Sequence, residues 1–308
     1  MFHLNGASMM HTARSLIAAV LAPILVLALA GCSDAPETAP DSGPPNPLLY
    51  EIANADGAVE GWMIGTIHAL PNGTQWRTKA IAAAVNEADV LVVEIAALDD
   101  RAGLAAIFAA LGHTPEMLPL EQRVTDDFKP ALSALLDSGG LDPKQFNATE
   151  TWAAALTLAQ IDAEGDPANG VDRALIREFA GRPVHELEGA KAQLSIFDRL
   201  PESDQRDLLA AVVSGSEGSK AQADKLRRAW RMGDSAALER ASRTGILADP
   251  ELREALLVQR NRDWMAAIIR RLKAEPKPLI AVGAAHLVGT EGLASLLQAQ
   301  GYRVQRLP

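Results

Sequence analysis

Short apolar runs toward both ends of the chain predict β-strands, whereas the middle of the chain has the apolar spacing of helices. The runs that predict strands are 48–53, 59–66, 88–95, 183–187, 279–283 and 302–306. The first two flank a turn of Ala55, Asp56 and Gly57 and therefore predict a hairpin. The runs 88–95 and 279–283 are almost wholly apolar, which is typical of strands buried on both faces.

Helices are predicted at 77–87 and 290–300, on either side of a long helical stretch. Residues 101–163 and 171–272 are rich in Ala, Leu, Glu and Arg, and their apolar positions repeat with a helical period. The sequence therefore predicts an α/β fold. In it, strands from the N-terminal and C-terminal parts form one central mixed sheet, and a large helical region of about 100–272 is inserted between them.

The N-terminal segment has the features of a bacterial secretory signal. An apolar run at 15–30 follows Arg14 and ends in the sequence Leu-Ala-Gly-Cys, which resembles a lipobox whose cysteine becomes the lipidated first residue. The run is short for a membrane-spanning helix, and Pro23 interrupts it. We therefore expect residues 1–31 to be removed and Cys32 to carry the lipid.

Residues 32–47 predict an extended tether, because Pro, Asp and Ser are frequent and no apolar period is present. Ser33 follows the cysteine where an Asp favours retention in the inner membrane of many bacteria. By resemblance to that sorting rule, we expect an outer-membrane lipoprotein of the cell envelope. Its folded domain, residues 48–308, would face the periplasm or the exterior and would contact the membrane through the lipid anchor.

Composition excludes several classes of function. The chain is 48% hydrophobic and 22% charged, which is typical of a globular protein. Its 29 Lys and Arg residues against 39 Asp and Glu give a net charge of −10, which argues against a nucleic-acid partner. The single cysteine excludes an intrachain disulfide framework and a thiolate metal cluster. A metal ion would have to be held by His, Asp and Glu.

Two histidines follow predicted strands in the same Gly-x-x-His frame, and a glutamate ends a third predicted strand. These residues are Gly65 with His68, Gly283 with His286, and Glu94. Ligands of open α/β sheets bind at the carboxyl ends of the strands, and the glycines let the backbone turn sharply there. Two imidazoles and a carboxylate can hold a divalent ion and leave positions open for water and substrate. His113 and His185 lack this frame, and we interpret both as structural.

These elements resemble the TraB/GumN family, which is related to the TIKI metalloproteases. The stretches that carry the resemblance are MIGTIHALP, ADVLVVEI, GRPVHELEGAKAQLSIFDRLP, RNRDWMAAI and AVGAAHLVGTEGLASLLQAQGYRV. Together they span about residues 48–308. The resemblance implies an EreA/ChaN-like α/β fold and a divalent-metal-dependent hydrolase. Proteolysis is implied by analogy with the TIKI members, so the expected substrate is a peptide or a small molecule.

The resemblance also implies roles for individual residues. His68, Glu94 and His286 would bind Mn, Co or Zn, with Glu94 as the third ligand or as the general base. Arg260 would stabilise the developing oxyanion or orient Glu94. Behind these groups would lie Asp172, Glu188 and Asn261. Of these, Asp172 and Glu188 are expected to accept hydrogen bonds from the imidazole N–H groups.

Two other functions stay open. One is a metal-independent, esterase-like hydrolase in which Glu94 activates His68 as general base, and its activity would survive chelation. The other is a non-catalytic module that captures a peptide or another ligand, which would show tight binding without turnover.

Overall fold

The computed structural model describes residues 43–215, 219–274 and 276–308. The predicted signal segment 1–31, the predicted lipidation site Cys32 and the tether as far as residue 42 lie outside these residues. None of the helices in the described ranges has the length and apolar character needed to cross a membrane.

Six strands form one mixed sheet, as the apolar runs predict. They are β1 Leu49–Ala53, β2 Val59–Thr66, β3 Val90–Val93, β4 Val184–Glu186, β5 Pro278–Gly283 and β6 Arg303–Leu307. Their order across the sheet is β4-β3-β5-β2-β1-β6. The strands β4, β3, β5 and β2 run parallel, whereas β1 lies antiparallel to both β2 and β6. Strands from both ends of the chain thus share one sheet, which confirms the predicted fold class.

Helices fill the middle of the chain and flank the C-terminal strands. In the described residues they are α1 Lys79–Glu87, α2 Arg101–Leu111, α3 Lys129–Gly139, α4 Thr151–Leu158, α5 Val171–Glu178, α6 Gly189–Asp198, α7 Glu202–Gly215, α8 Ser219–Met232, α9 Ser235–Ala241, α10 Pro250–Arg253, α11 Gln259–Leu272 and α12 Leu293–Ala299. A π-helical stretch, Glu254–Val258, joins α10 to α11. The helical path from Pro250 to Leu272 is therefore continuous, but its hydrogen-bond pattern changes just before Arg260.

Local chemistry fixes several of these boundaries. The β1–β2 hairpin turns at Asn54, whose Oδ1 accepts hydrogen bonds from the backbone N–H groups of Asp56 and Ala58, each at 3.0 Å. Gly57 has a φ of +88° there, a conformation that glycine adopts without strain. Helix α1 begins after Thr78, whose hydroxyl accepts from the N–H of Ile81 at 3.1 Å.

Two apolar cores meet at one edge of the sheet. The first contains the sheet with α1, α5 and α11, and the second contains helices of the middle region. The chain passes between the two cores at Glu94, because Val93 belongs to the first core and Ile95 to the second. It does so again at Ala284 and Ala285, just before His286. Glu94 and His286 therefore lie at the junction of the two cores.

The last residues of the predicted tether are bound to the folded domain. The backbone N–H of Asn46 donates to the carbonyl of Arg231 at 2.8 Å, and Arg306 Nη2 donates to the carbonyl of Asn46 at 2.6 Å. Arg231 Nη2 also donates to the carbonyl of Gly43 at 2.9 Å. From Gly43 onward the segment is thus part of the domain, held by the end of α8 and by β6.

Candidate functional site

Three neighbouring parallel strands bring the predicted site residues to the same edge of the sheet. Strand β5 lies between β3 and β2, with Thr66 opposite Gly283 and Val93 opposite Ala281. His68, Glu94 and His286 each follow the carboxyl end of one of these strands. Their convergence follows from the parallel register, because parallel strands end at a common edge.

The two motif glycines have different parts in this geometry. A Cβ atom on Gly65 would lie 3.1 Å from the Cα of Ala284, so a side chain there would press on the turn that leads to His286. The carbonyl of Gly65 accepts a hydrogen bond from Trp230 Nε1 at 2.9 Å. Gly283 has an ordinary φ of −50° and contributes its backbone N–H, which donates to Glu94 Oε1 at 2.7 Å.

His68 is bound to a buried carboxylate. Its Nδ1 lies 2.7 Å from Oδ2 of Asp172, and the other oxygen of Asp172 accepts a hydrogen bond from the Thr66 hydroxyl at 2.6 Å. Because a carboxylate only accepts, Nδ1 of His68 carries the proton and Nε2 is unprotonated in the neutral ring. Nε2 has no hydrogen-bond partner within the described residues, and 14% of the side chain is exposed. His68 therefore presents a basic nitrogen at the edge of the sheet.

The start of helix α5 sets the position of Asp172. The N–H of Val171 donates to the carbonyl of Ile67 at 2.9 Å, so the first turn of the helix is tied to the loop that carries His68. Gly170 makes this approach possible, because a Cβ atom there would overlap the carbonyl oxygen of His68. The backbone thus holds the carboxylate and the imidazole together.

Replacing Gly170 with alanine is expected to separate His68 from Asp172. The added methyl group must move the His68 carbonyl, at a cost of about 1–3 kcal/mol in the free energy of unfolding. The Asp172 carboxylate then raises the pKa of His68 less, and NMR titration of the imidazole is expected to show a lower pKa. Gly301→Ala is the control, because its φ of +89° makes an alanine strained there, while the residue lies at the opposite end of the sheet and its Cβ would meet nothing within 4 Å. It therefore lowers the free energy of unfolding without touching His68. An unchanged His68 pKa in Gly170→Ala would contradict the expectation.

Arg260 links Glu94 to Glu188 in the interior. Its Nη2 donates to Glu94 Oε2 at 2.6 Å and to Glu188 Oε1 at 2.5 Å, and its Nε donates to Glu188 Oε1 at 3.0 Å. Glu188 lies just before helix α6, and it also accepts from Trp264 Nε1 at 3.2 Å. Arg260 thus holds one oxygen of Glu94 by a hydrogen bond.

His286 is buried and occupied at both ring nitrogens. Asn261 Nδ2 donates to the carbonyl of Glu291 at 2.8 Å, which leaves Asn261 Oδ1 to face His286 Nδ1 at 2.6 Å. Nδ1 therefore carries the proton, and the bare Nε2 accepts from Arg260 Nη1 at 3.2 Å. The Trp264 ring packs against the imidazole with 4.5 Å between the ring centroids.

The charges around these groups shift the pKa values of the two histidines in opposite directions. Burial would lower the pKa of His68, but the Asp172 carboxylate opposes burial and raises that pKa above its usual value. Burial and the Arg260 cation together lower the pKa of His286 to about 3, so this ring is neutral at physiological pH. Burial would raise the pKa of Glu94, but Arg260 lowers it to about 2. At Glu188 burial outweighs Arg260, and the pKa is raised.

The donor atoms do not fit a divalent ion held jointly by His68, Glu94 and His286. Nε2 of His286 already accepts from Arg260, and both oxygens of Glu94 accept protein N–H groups. An added ion would have to displace a guanidinium, because two cations in such close contact repel strongly in a buried site. Among the residues that the structure describes, no three His, Cys, Asp or Glu side chains are grouped to hold a metal ion.

Several contacts differ from the roles expected from sequence. Glu188 was expected to accept from an imidazole, but it binds Arg260, and Asn261 accepts from His286 instead. Asp172 accepts from His68 as expected. Thr66 and Trp264 were missed as neighbours of the site. Thr66 has a signal in the sequence, since it lies inside the first Gly-x-x-His frame.

The other two histidines lie elsewhere. His113 is exposed and forms an isolated antiparallel β-bridge with Thr149, and His185 lies within the edge strand β4.

Comparison with known proteins places the chain in a family. The model of the TraB/PrgY/gumN family matches residues 48–306. The protein named "Uncharacterized protein YbaP" of Escherichia coli (strain K12) is 24% identical over 248 residues, which cover 77% of this chain and 87% of that protein. The protein of the same name from Shigella flexneri shows the same identity and coverage. No solved structure matches. The chain belongs to the TraB/PrgY/gumN family.

Proposed function

We propose that this protein is a hydrolase of peptide or ester bonds in which His68 is the general base. The observation that carries the proposal is the pairing of His68 Nδ1 with the buried Asp172 carboxylate at 2.7 Å, which makes Nε2 the unprotonated nitrogen of the neutral ring and leaves it without a protein partner among the described residues. A histidine oriented by a carboxylate is a common means of removing a proton from water or from another nucleophile.

The proposed reaction depends on the protonation state of the His68 imidazole. Nε2 of His68 takes a proton from water while the water oxygen bonds to the carbonyl carbon of the substrate. The imidazolium is stabilised by Asp172, whose other oxygen is held by Thr66. The proton then passes from Nε2 to the leaving amine or alcohol as the C–N or C–O bond breaks. Glu94 does not activate His68 in this scheme, because its oxygens are bound to Arg260 and to the Gly283 N–H.

The test uses the full-length chain purified in mild detergent. A library of internally quenched peptides and a series of p-nitrophenyl esters are offered with and without EDTA. Turnover that survives EDTA and is lost in His68→Ala supports the proposal. Absence of turnover on both substrate sets, or turnover that His68→Ala retains, overturns it.

A second proposal, metal-dependent hydrolysis, rests on the same histidine. An imidazole whose Nδ1 is held by a carboxylate and whose Nε2 is available is the usual arrangement of a metal-bound histidine. In this case EDTA abolishes turnover, and Mn²⁺, Co²⁺ or Zn²⁺ restores it.

The acid limb of the pH–rate profile is expected to depend on Asp172. His68 acts in its neutral form, so kcat/KM falls as the pH drops through the His68 pKa, which Asp172 raises. In Asp172→Asn the raising charge is lost and burial remains, so the acid limb moves to lower pH and the maximal rate falls. Asp126→Asn removes an exposed carboxylate and serves as the charge control. An acid limb that stays in place in Asp172→Asn would count against His68 as the base.

We also propose that the hydrolase is held at the cell envelope by lipid on Cys32, with the outer membrane favoured. The support is the lipobox-like sequence that ends at Cys32, and Ser33 after it for the outer membrane. Radiolabelled palmitate is expected to enter the wild-type chain but not Cys32→Ala. Equal labelling of both chains would refute the anchor.

A further inference from the structure

The guanidinium of Arg260 is fully engaged at the junction of the two cores. An arginine side chain has five N–H donors. Nε donates to Glu188, Nη2 donates to Glu94 and Glu188, and Nη1 donates to the Leu256 carbonyl at 3.1 Å and to His286. The side chain is 4% exposed. Each donor therefore has an acceptor, and the cation is enclosed by two carboxylates and an imidazole.

The surroundings are arranged for a cation. The Arg260 guanidinium carbon lies 4.7 Å from the centroid of the Trp264 ring, a distance at which an aromatic face attracts a positive charge. The hydrogen bond from Asn261 Nδ2 to the Glu291 carbonyl fixes the tautomer of His286, so that its bare nitrogen points to Arg260. A hydrogen bond from a backbone N–H also fixes Glu94.

We propose that Arg260 is the resident cation of this site, and that Glu94, Glu188 and His286 bind its guanidinium in place of a divalent metal ion. The histidines of the two Gly-x-x-His motifs then have different roles. His68 presents a free ring nitrogen, whereas His286 is an acceptor that holds Arg260. The inference goes beyond the proposed function and does not depend on it, because it concerns which cation these three side chains bind.

Cobalt binding tests the inference without an activity assay. Co²⁺ alone is titrated into the full-length chain in detergent, and its visible absorption reports ligation by imidazole and carboxylate. We expect the wild type, His286→Ala and Glu94→Gln to give the same titration. Binding in the wild type that is lost in both variants overturns the proposal. Binding that is lost only in His68→Ala supports it, and at the same time favours the metal-dependent form of the proposed function.

Removing the guanidinium should convert this cation site into a metal-binding site. Arg260→Met replaces the apolar stem of arginine by one of similar length, removes the guanidinium, and leaves two carboxylates and an imidazole facing the vacated space. We expect it to bind Co²⁺ at least about tenfold more tightly than the wild type does, and the gain should disappear in Arg260→Met/Glu94→Gln. A folded Arg260→Met with no gain overturns the proposal. If this variant does not fold, the comparison of the wild type with His286→Ala and Glu94→Gln decides alone.

Discussion

Replacing His68 with alanine is expected to lower kcat by about 10²–10⁴-fold, the usual contribution of a general base. The reason is that Nε2 of His68 is the available basic nitrogen at the edge of the sheet, while His286 is neutral, buried and bound at both nitrogens. The free energy of unfolding should fall by only about 1–3 kcal/mol, since Asp172 loses one hydrogen-bond partner and keeps Thr66. Steady-state kinetics and chemical denaturation measure the two effects.

The matched control for this change is His113→Ala. His113 is exposed in the helical region, and it contacts Thr149 through an isolated backbone β-bridge that does not need its side chain. Removing the imidazole should therefore change neither kcat nor the unfolding free energy by a comparable amount. Equal losses of kcat in the two variants would show that His68 has no special role. A loss of kcat in His68→Ala accompanied by unfolding would be uninformative about chemistry, and His68→Asn, which can still donate to Asp172, then takes its place.

Replacing Arg260 with methionine is expected to lower the free energy of unfolding by about 3–5 kcal/mol. The substitution removes the guanidinium that compensates two buried carboxylates, Glu94 and Glu188, whose side chains are 8% and 11% exposed. An uncompensated buried charge is costly, because the protein interior solvates it far less than water does. Urea denaturation followed by circular dichroism measures the loss.

Arg262→Met is the control for Arg260→Met. It lies on the same helix two residues further on, and it pairs with Glu254 at the surface, where its side chain is 54% exposed. Such surface pairs contribute about 0–1 kcal/mol. The triple change of Arg260→Met, Glu94→Gln and Glu188→Gln should recover part of the loss, since it removes the uncompensated charges. Similar losses in the two arginine variants would contradict the role of Arg260 as the partner of both carboxylates.

Local sequence was sufficient for most of the secondary structure. The hairpin is an example, because the Asn54 side chain and the Gly57 backbone form its turn from residues that are close in sequence. Strands β3 and β5 were predictable because they are buried on both faces and so contain few polar residues. The boundaries were less certain. The run 88–95 extends beyond the paired residues Val90–Val93, because apolar side chains continue into the second core.

The convergence of the site could be predicted, but the pairing of its members could not. Strand-end positions indicated that His68, Glu94 and His286 would share an edge. Which group binds which depends on contacts across long separations of sequence, such as His68 with Asp172 and Arg260 with Glu94. Glu188 illustrates the limit of prediction from sequence. Its position relative to the two histidines depends on the packing of α6 and α11, which the local sequence pattern does not encode.

The sequence by itself determined the family, the class of fold and the residue types that meet at the carboxyl edge of the sheet. These features depend on burial and backbone conformation, which act on each residue and its near neighbours in the chain. Only the tertiary structure decided that His68 is paired with a carboxylate and keeps a ring nitrogen available, while the corresponding nitrogen of His286 is bound by an arginine. That difference arises from electrostatics and hydrogen bonding between segments far apart in sequence, and both depend on distances in space that sequence spacing does not record.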